Sequence, residues 1–374
     1  MAALILLALL ACSLIYCVLT VVAAVRYRAV RPAAPATFPP ISVLKPLSGF
    51  EEELEQNLRT FFEQDYPAFE ILFAVRDSSD PAARVVRRLQ AEYPGVPARL
   101  VETGEPPYAN AKVYSLDRMV AMASFDLVVM SDSDTRVTNE MLRVIAAEFA
   151  DPAIGMVTCP YRAMAGRSFW SVLEAVGLNT EFLSGVLVAR MLEGMKFALG
   201  PTIAARREVL ARIGAFEAVK EYLAEDFVMG KLAAKSGAGV LLSSYVIEHR
   251  IGAQRFLANL KHRLRWCRST RRSRPWGYVG QFFTNPLPVA LALWSAKPEW
   301  WPVLVTACVL RALAGWATVE HVLNDRYTRR RWWLVPLQDL VQFPVWIGGF
   351  FGNTILWRGR KYYLLADGRF ELLQ

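Results

Sequence analysis

The chain has 374 residues, of which 54% are hydrophobic, and its mean hydropathy is +0.24. This hydropathy is high for a soluble protein and indicates membrane segments, while the length allows one large domain or two small ones. Part of the formal net charge of +9 lies in clusters beside apolar segments, at 26–31, 329–331 and 358–361. That placement suits the positive-inside rule and anionic lipids better than nucleic acid, which we exclude as a partner.

The five cysteines are an odd number without metal-site spacing, so neither a disulfide framework nor a cysteine metal site is expected. A reduced, cytosol-facing catalytic part follows from this usage. Because the chain has three histidines, a histidine-rich metal site is not expected either.

Residues 2–25 are uncharged and mostly apolar. At a rise of about 1.5 Å per residue, this run is long enough to cross a bilayer core of roughly 30 Å. A signal peptide is the alternative, but the run is too long for a usual apolar region and lacks a basic start. We predict a transmembrane anchor at 1–26 with a cytosolic C-terminal end, followed by a linker at 27–40 that is rich in Pro and Ala.

Short apolar strands alternate with amphipathic helices between residues 41 and 252. One example is the strand Phe69 to Val75, followed by a helix that Asp80 can cap and that begins at Pro81. The alternation predicts an α/β domain whose sheet is largely parallel and covered by helices on both faces. The last strand of this domain is predicted from Val240 to Ile247.

The central stretch, 127–137, is an apolar run that ends in two carboxylates one residue apart, Asp132 and Asp134. This pattern indicates a buried strand whose C-terminal end opens into a loop, where ligands bind in open α/β sheets. Carboxylates there can hold a hard divalent cation, which in turn can bind a diphosphate. An isolated Asp-x-Asp is more often a solvated turn, so the prediction depends on the rest of the chain.

The second half of the chain combines apolar and basic segments. A long helical pattern from Phe169 to Arg190 is either a core helix or a helix bordering an acceptor pocket near the membrane. The remaining predicted segments follow in order: a basic interfacial helix (253–280), a transmembrane helical hairpin (281–320), a re-entrant or interfacial segment (332–357) and a basic cytosolic tail (358–374).

Four features follow one another along the chain: Asp77, the Asp132-Ser133-Asp134 stretch, Glu225-Asp226 and Arg265-Trp266. Their order resembles the D, D, D, (Q/R)xxRW pattern of membrane-bound family 2-like glycosyltransferases with the GT-A fold. The first position of the last motif departs from the pattern, since it is His262 here in place of Gln or Arg. Further stretches resemble the ceramide glucosyltransferase family more closely, and they are Ile41-Ser-Val-Leu-Lys-Pro-Leu47, Asp65-Tyr-Pro67, Ala224-Glu-Asp226 and Trp357-Arg-Gly-Arg-Lys-Tyr362.

This resemblance implies a Rossmann-like GT-A domain that moves a sugar from a UDP-sugar, such as UDP-glucose, to a hydroxyl of a membrane lipid such as ceramide, with inversion. It also implies Mg²⁺ or Mn²⁺ held by Asp134 with Asp132, because charge builds on the leaving diphosphate. The implied base is Asp226, with Glu225 as its nearest rival. The donor side would comprise Asp77, Lys112, Asp132, His262, Arg265 and Trp266.

Three other readings stay open at this point. Transfer of N-acetylglucosamine from its UDP form to a hopanoid polyol would use a similar layout. A processive polysaccharide synthase would need more membrane helices than the roughly three crossings predicted here. A non-catalytic membrane protein that kept the fold is disfavoured because all the expected acidic residues are present.

Overall fold

The computed structural model describes residues 2–29, 31, 37–357 and 359–373. Its α-helices are α1 (Ala2–Arg28), α2 (Leu54–Phe62), α3 (Pro81–Glu92), α4 (Ala111–Met122), α5 (Met141–Glu148), α6 (Phe169–Gly177), α7 (Leu183–Glu193), α8 (Arg207–Arg212), α9 (Glu225–Lys235), α10 (Phe256–Ser273), α11 (Pro275–Gly280), α12 (Pro286–Ala296), α13 (Trp301–Trp316), α14 (Arg326–Arg329) and α15 (Val335–Gly349). The strands are β1 (Ile41–Pro46), β2 (Phe69–Val75), β3 (Ala98–Glu102), β4 (Leu127–Ser131), β5 (Thr135–Arg136), β6 (Ile154–Thr158), β7 (Tyr161–Met164), β8 (Thr202–Arg206), β9 (Gly239–Leu242), β10 (Ile247–Arg250), β11 (Thr354–Trp357), β12 (Arg360–Leu364) and β13 (Phe370–Leu372). Two π-helical segments, Leu178–Phe182 and Ala317–Val322, join α6 to α7 and extend α13.

The central sheet has seven strands in the order β3-β2-β1-β4-β8-β6-β9. The first four strands are parallel, β8 is antiparallel to both of its neighbours, and β9 is parallel to β6. Successive residues of β4 pack on opposite faces, with Val129 in one buried cluster and Val128 and Met130 in the other. The prediction of a largely parallel sheet between helices is therefore confirmed, and the strand order reverses between β1 and β4, where crevices form in such sheets.

One strand prediction was wrong, because the predicted strand from Val240 to Ile247 is two strands in two sheets. The turn between them is held by Glu148, whose Oε1 accepts hydrogen bonds from the Ser244 backbone N–H at 2.6 Å and hydroxyl at 2.9 Å. After this turn, β10 pairs with β5 and β7 in a small second sheet. This pairing sets His249 opposite Thr135, next to the end of β4.

Among the residues that the structure describes, three helical stretches are long and apolar enough to cross a membrane: Ala3–Arg28, Phe169–Glu193 and Pro298–Val322. The first has the length predicted for the anchor, whereas Phe169–Glu193 is largely buried inside the protein. The first arm of the predicted hairpin is short, since α12 has 11 residues. It rises about 16 Å, roughly half of a bilayer core, so a crossing by 281–296 stays a prediction.

The helix α1 is fixed to the catalytic domain as well as to the other apolar helices. Near its N-terminus, Leu10 packs in one buried cluster with residues of α12 and α13. At its C-terminal end, Tyr27 is buried in the main core and its hydroxyl donates to the Ser243 carbonyl. The predicted linker thus begins inside the helix, and its residues 30 and 32–36 lie outside the described part of the chain.

A buried ion pair joins two of the C-terminal helices. Arg311 of α13 contacts both carboxylate oxygens of Asp339 of α15, at 2.7 and 2.8 Å, and also donates to the Thr180 hydroxyl at 3.2 Å. Removing one partner of such a pair leaves an uncompensated buried charge. The pair therefore fixes α13 and α15 against the π-helical turn between α6 and α7.

The C-terminal region is folded, which corrects the prediction of a basic tail at 358–374. The strands β11, β12 and β13 form an antiparallel sheet, with buried Phe370 in a cluster that packs against Ala109 and Leu223. The Phe370 backbone N–H donates to the Glu221 carbonyl at 2.9 Å. The sheet therefore supports both the loop that precedes α4 and the loop that precedes α9.

We predict that Phe370→Ala lowers the free energy of unfolding by about 3 kcal/mol or more, because it leaves a cavity in this small cluster. Thermal unfolding in detergent measures the loss. The matched control is Leu372→Ala on the same strand, where the side chain is 49% exposed and little change is expected. Equal melting temperatures for wild type and Phe370→Ala would contradict the supporting role of this sheet.

Candidate functional site

A cavity of about 1610 Å³ opens at the carboxyl ends of the parallel strands. One end is lined by residues that follow β1 to β4, and the other by the helical stretch Phe169–Glu193 together with α10 and α11. Typical ligand pockets measure about 300–1,000 Å³. The volume is therefore sufficient for two substrates held side by side.

An ion-paired lysine lies at the centre of the predicted site. The Lys112 Nζ is 2.7 Å from Asp132 Oδ1 and 3.1 Å from Glu225 Oε1. Burial disfavours the charged amine, but the charges of Asp132 and Glu225 outweigh it and raise the pKa of Lys112. Asn110 caps α4 through its Oδ1 and donates from Nδ2 to the Tyr222 carbonyl at 2.9 Å. These contacts bring the end of β4 and the start of α9 together around Lys112.

Asp226 lies in the first turn of α9, beside this lysine pair. Burial, followed by the charge of Glu225, raises the pKa of Asp226 to about 7. Space for the carboxylate depends on Gly200, because a Cβ there would lie 2.8 Å from Asp226 Oδ2. A carboxylate that titrates near neutral pH is suited to accept a proton under physiological conditions.

Asp134 is paired with a histidine that the sequence analysis did not single out. The Asp134 Oδ1 and His249 Nδ1 atoms are 3.4 Å apart. Both atoms are buried and neither has a hydrogen-bond partner among the described residues. Burial opposes ionisation of Asp134, yet the charges of His249 and Lys45 lower its pKa. The pKa of His249 is raised because Asp134 outweighs burial.

This pair fits a divalent cation better than it fits an ordinary hydrogen bond. Carboxylate oxygen and imidazole nitrogen are both ligands for ions such as Mn²⁺, and two unpartnered ligand atoms face each other here. Among the residues described, no group of three or more His, Cys, Asp or Glu side chains is placed to hold a metal ion. A cation at Asp134 and His249 would have to take its remaining ligands from oxygens of a substrate or water.

Lys45 is a second residue that the sequence analysis missed. It is completely buried at the end of β1, and its Nζ donates to the Asp132 carbonyl and, at 3.0 Å, to the Thr135 hydroxyl. The Nζ also lies 3.7 Å from the centre of the Phe61 ring. Burial lowers the pKa of Lys45 to about 7. Its hydrogen bonds fix the turn that carries Asp132 and Asp134.

The predicted His-x-x-Arg-Trp motif lies on α10, and His262, Arg265 and Trp266 all line the cavity. The His262 Nδ1 is 2.8 Å from Glu174 Oε1, and its ring centre is 5.3 Å from that of Trp266. A histidine can donate to this buried carboxylate, as a glutamine or arginine also can. The contact with Glu174 thus gives a physical reason for the histidine at the first motif position.

Asp77 is the predicted site residue that lies apart from the others. It is exposed after β2, and its Oδ1 accepts from the Ser79 backbone N–H at 2.9 Å. The hydrogen bonds from Ser79 lower the pKa of Asp77. Within the described chain, the cavity lining includes the neighbouring Arg76 but not Asp77. A role for Asp77 at the nucleotide stays a prediction.

Comparison with known proteins places this site in a family. The model of glycosyl transferase family 21 matches residues 4–370. The chain belongs to that family. This confirms the resemblance to ceramide glucosyltransferases that the motifs indicated.

Two relatives of this family 21 chain are ceramide glucosyltransferases of Caenorhabditis elegans. Ceramide glucosyltransferase 1 is 30% identical over 211 residues, which cover 56% of this chain and 45% of the relative. The chain therefore spans less than half the length of that relative. Ceramide glucosyltransferase 3 is 22% identical over 343 residues, covering 89% of this chain and 74% of the relative.

A similar solved structure is the mannosyltransferase PcManGT from Pyrobaculum calidifontis in complex with GDP-Man and Mn²⁺. It superposes with a TM-score of 0.57 at 21% sequence identity, covering 94% of this chain and 98% of that one. At this identity the likeness shows the fold alone, and it confirms the predicted GT-A class.

We predict that His249→Ala weakens Mn²⁺ binding about 10- to 100-fold, which is the usual loss on removing a group of a metal site. Calorimetric titration of Mn²⁺ in the presence of UDP measures it. His321→Ala is the matched control, because His321 contacts Arg28 and Trp316 instead. Unchanged Mn²⁺ affinity in folded His249→Ala protein would contradict the assignment.

Proposed function

We propose that this family 21 protein is an inverting glycosyltransferase that moves glucose from UDP-glucose to the primary hydroxyl of ceramide. The observation that carries the proposal is the shared cavity. It joins the Lys112 cluster and Asp226 to the apolar helical stretch Phe169–Glu193. The names of the relatives support this choice of sugar and acceptor.

In the proposed reaction, Asp226 accepts the proton of the acceptor hydroxyl. The acceptor oxygen then forms a bond to the anomeric carbon on the face opposite the diphosphate, and the bond from that carbon to the diphosphate oxygen breaks, releasing UDP. Lys112 is ion-paired with Glu225 beside the base and keeps Asp132 oriented. The cation Arg265 on the cavity wall favours the negative charge that develops on the leaving group.

A divalent cation bound in this site would neutralise charge on the leaving diphosphate. The residues that would hold it are Asp134 and His249, whose facing atoms are unpartnered in the described structure, with Asp132 close by.

The acceptor is proposed to enter from the bilayer side of the cavity. Val186, Ala189 and Leu192 of α7 line this part, and Leu192 is 64% exposed. Trp276, at the mouth, is 85% exposed, as expected for a side chain at a membrane interface. In this arrangement the two apolar chains of the ceramide acceptor lie along α7, and the hydroxyl of the acceptor points to Asp226. The catalytic domain would then lie on the cytosolic face, beside the basic end of α1.

The direct test incubates reconstituted protein with radiolabelled UDP-glucose, a divalent cation and ceramide. We expect labelled lipid with ceramide, and none when the cation is chelated. A parallel reaction uses UDP-N-acetylglucosamine and a hopanoid polyol. Label found only in that second reaction would overturn the proposed donor and acceptor and leave the fold and the site unchanged.

We predict that Asp226→Asn abolishes transfer to background, because the amide cannot accept the proton of the hydroxyl. Binding of UDP-glucose should stay within about twofold of wild type, since the side-chain shape is retained. Asp117→Asn is the matched control, because it makes the same change at an exposed carboxylate of α4 that does not line the cavity. Full transfer by folded Asp226→Asn protein would exclude Asp226 as the base.

We also predict that kcat/KM falls about tenfold per pH unit below about 7, and levels off above it. The base acts as the ionised carboxylate, and because its pKa is raised to about 7 it becomes protonated as the pH falls through that value. Initial rates over about two units on each side of neutrality measure the profile. A rate that stays flat down to the usual pKa of an aspartate would contradict the raised pKa.

A further inference from the structure

A buried arginine that the reaction described above does not use lines the cavity. Arg263 lies on α10, between His262 and the Arg265-Trp266 pair, and is only 6% exposed. Its Nη2 atom is buried without a hydrogen-bond partner in the part of the chain that the structure describes. Burying a donor of a charged group unpaired is costly, so an unpaired donor on a residue that lines a cavity points to a ligand.

The rest of this side chain is held firmly. The Nε atom donates to Asn259 Oδ1 at 2.9 Å, and Nη1 donates to Gln338 Oε1 at 2.9 Å and to Gln342 Oε1 at 3.3 Å. Gln338 is itself packed against Gly177, where any Cβ would overlap its amide. The guanidinium is therefore fixed through two of its nitrogens by these hydrogen bonds, and its third nitrogen has no hydrogen-bond partner among the described residues.

The surroundings favour a neutral ligand over an anion. Glu174, which is 5% exposed, accepts from Asn259 and contacts His262, and Glu181 also lines this end of the cavity. Two carboxylates beside one guanidinium oppose the approach of a further negative charge. Since a guanidinium has only donors, the ligand atom must be a hydrogen-bond acceptor. A carbonyl oxygen meets both conditions.

We propose that Arg263 Nη2 donates a hydrogen bond to the amide carbonyl oxygen of the acceptor lipid, so that the protein selects acceptors carrying a carbonyl near the hydroxyl that is glycosylated. This inference rests on the proposed function and names the feature of the acceptor that is recognised. The side-chain hydrogen bonds of Arg263 within the described residues are to α10 and α15, and not to the central sheet, where the nucleotide is proposed to bind.

The test is a cycle of two proteins and two acceptors. Wild type and Arg263→Gln are assayed with ceramide and with its thioamide analogue, whose sulfur accepts hydrogen bonds poorly while the N–H, hydroxyls and chains are kept. We expect the thioamide to raise the acceptor KM of wild type about tenfold. In Arg263→Gln, the KM for ceramide should rise about 10- to 100-fold, and the preference for the carbonyl should disappear. Lys261→Gln removes the same charge from an exposed position on α10 and should behave as wild type.

Each other outcome has a defined meaning. Equal discrimination by both proteins would overturn the carbonyl contact, and so would a raised KM for UDP-glucose in Arg263→Gln with an unchanged KM for ceramide. If Arg263→Gln does not fold, the two acceptors compared on wild type decide, and equal KM values overturn the inference. Wild type that hydrolyses UDP-glucose but does not glucosylate ceramide would instead show that the proposed function has failed.

Discussion

The double ion pair of Lys112 is the interaction on which the arrangement of the site depends. It joins Asp132, at the end of a strand in the middle of the sheet, to Glu225, at the start of a helix nearly a hundred residues later. Without this cation, the carboxylates of Asp132, Glu225 and Asp226 would face one another at the cavity wall. Their mutual repulsion would then oppose the close approach of α9 to the end of β4. The single positive charge of Lys112 allows Asp132, which is proposed to serve the donor, to lie close to Glu225 and to the proposed base Asp226.

The turn beneath this ion pair is also held in place by a lysine. Lys45 is completely buried, and it donates hydrogen bonds to a backbone oxygen and a hydroxyl oxygen of the Asp132–Thr135 turn. Its ammonium group lies against Phe61, so the turn is fixed from the core side and its carboxylates are left to the cavity. The site is thus positioned by Lys45 below it and Lys112 beside it, while the facing atoms of the Asp134–His249 pair have no hydrogen-bond partner among the described residues.

The parts of this protein that sequence predicts well are those whose signals are local. The strand that leads to Asp132 is an apolar run. The helix at Pro81–Glu92 begins with the cap at Asp80 that the residue types predict. His249 gave no local signal, because its meaning arises only when a four-residue strand pairs with β5 across more than a hundred residues. The break between β9 and β10 was missed for the same reason, since Glu148 holds that turn from a distant helix. Sequence alone could not distinguish Arg263 from the other arginines of a basic helix. The burial of a side chain, and a donor atom left without a hydrogen-bond partner, are set by tertiary packing.

The contact between the C-terminal sheet and the loop before α9 has a consequence for the order of events in biosynthesis. Glu221 and Phe370 are about 150 residues apart, an interval that takes on the order of ten seconds to synthesise at about 5–20 residues per second. The helices α12 to α15 lie between them along the chain and are synthesised before Phe370. The hydrogen bond that holds the loop leading to Glu225 and Asp226 therefore forms late, when these helices have already been synthesised. A nascent chain that already contains every acidic residue of the site would still lack the backbone partner of this loop, so the site would become complete only after α12 to α15 have been synthesised.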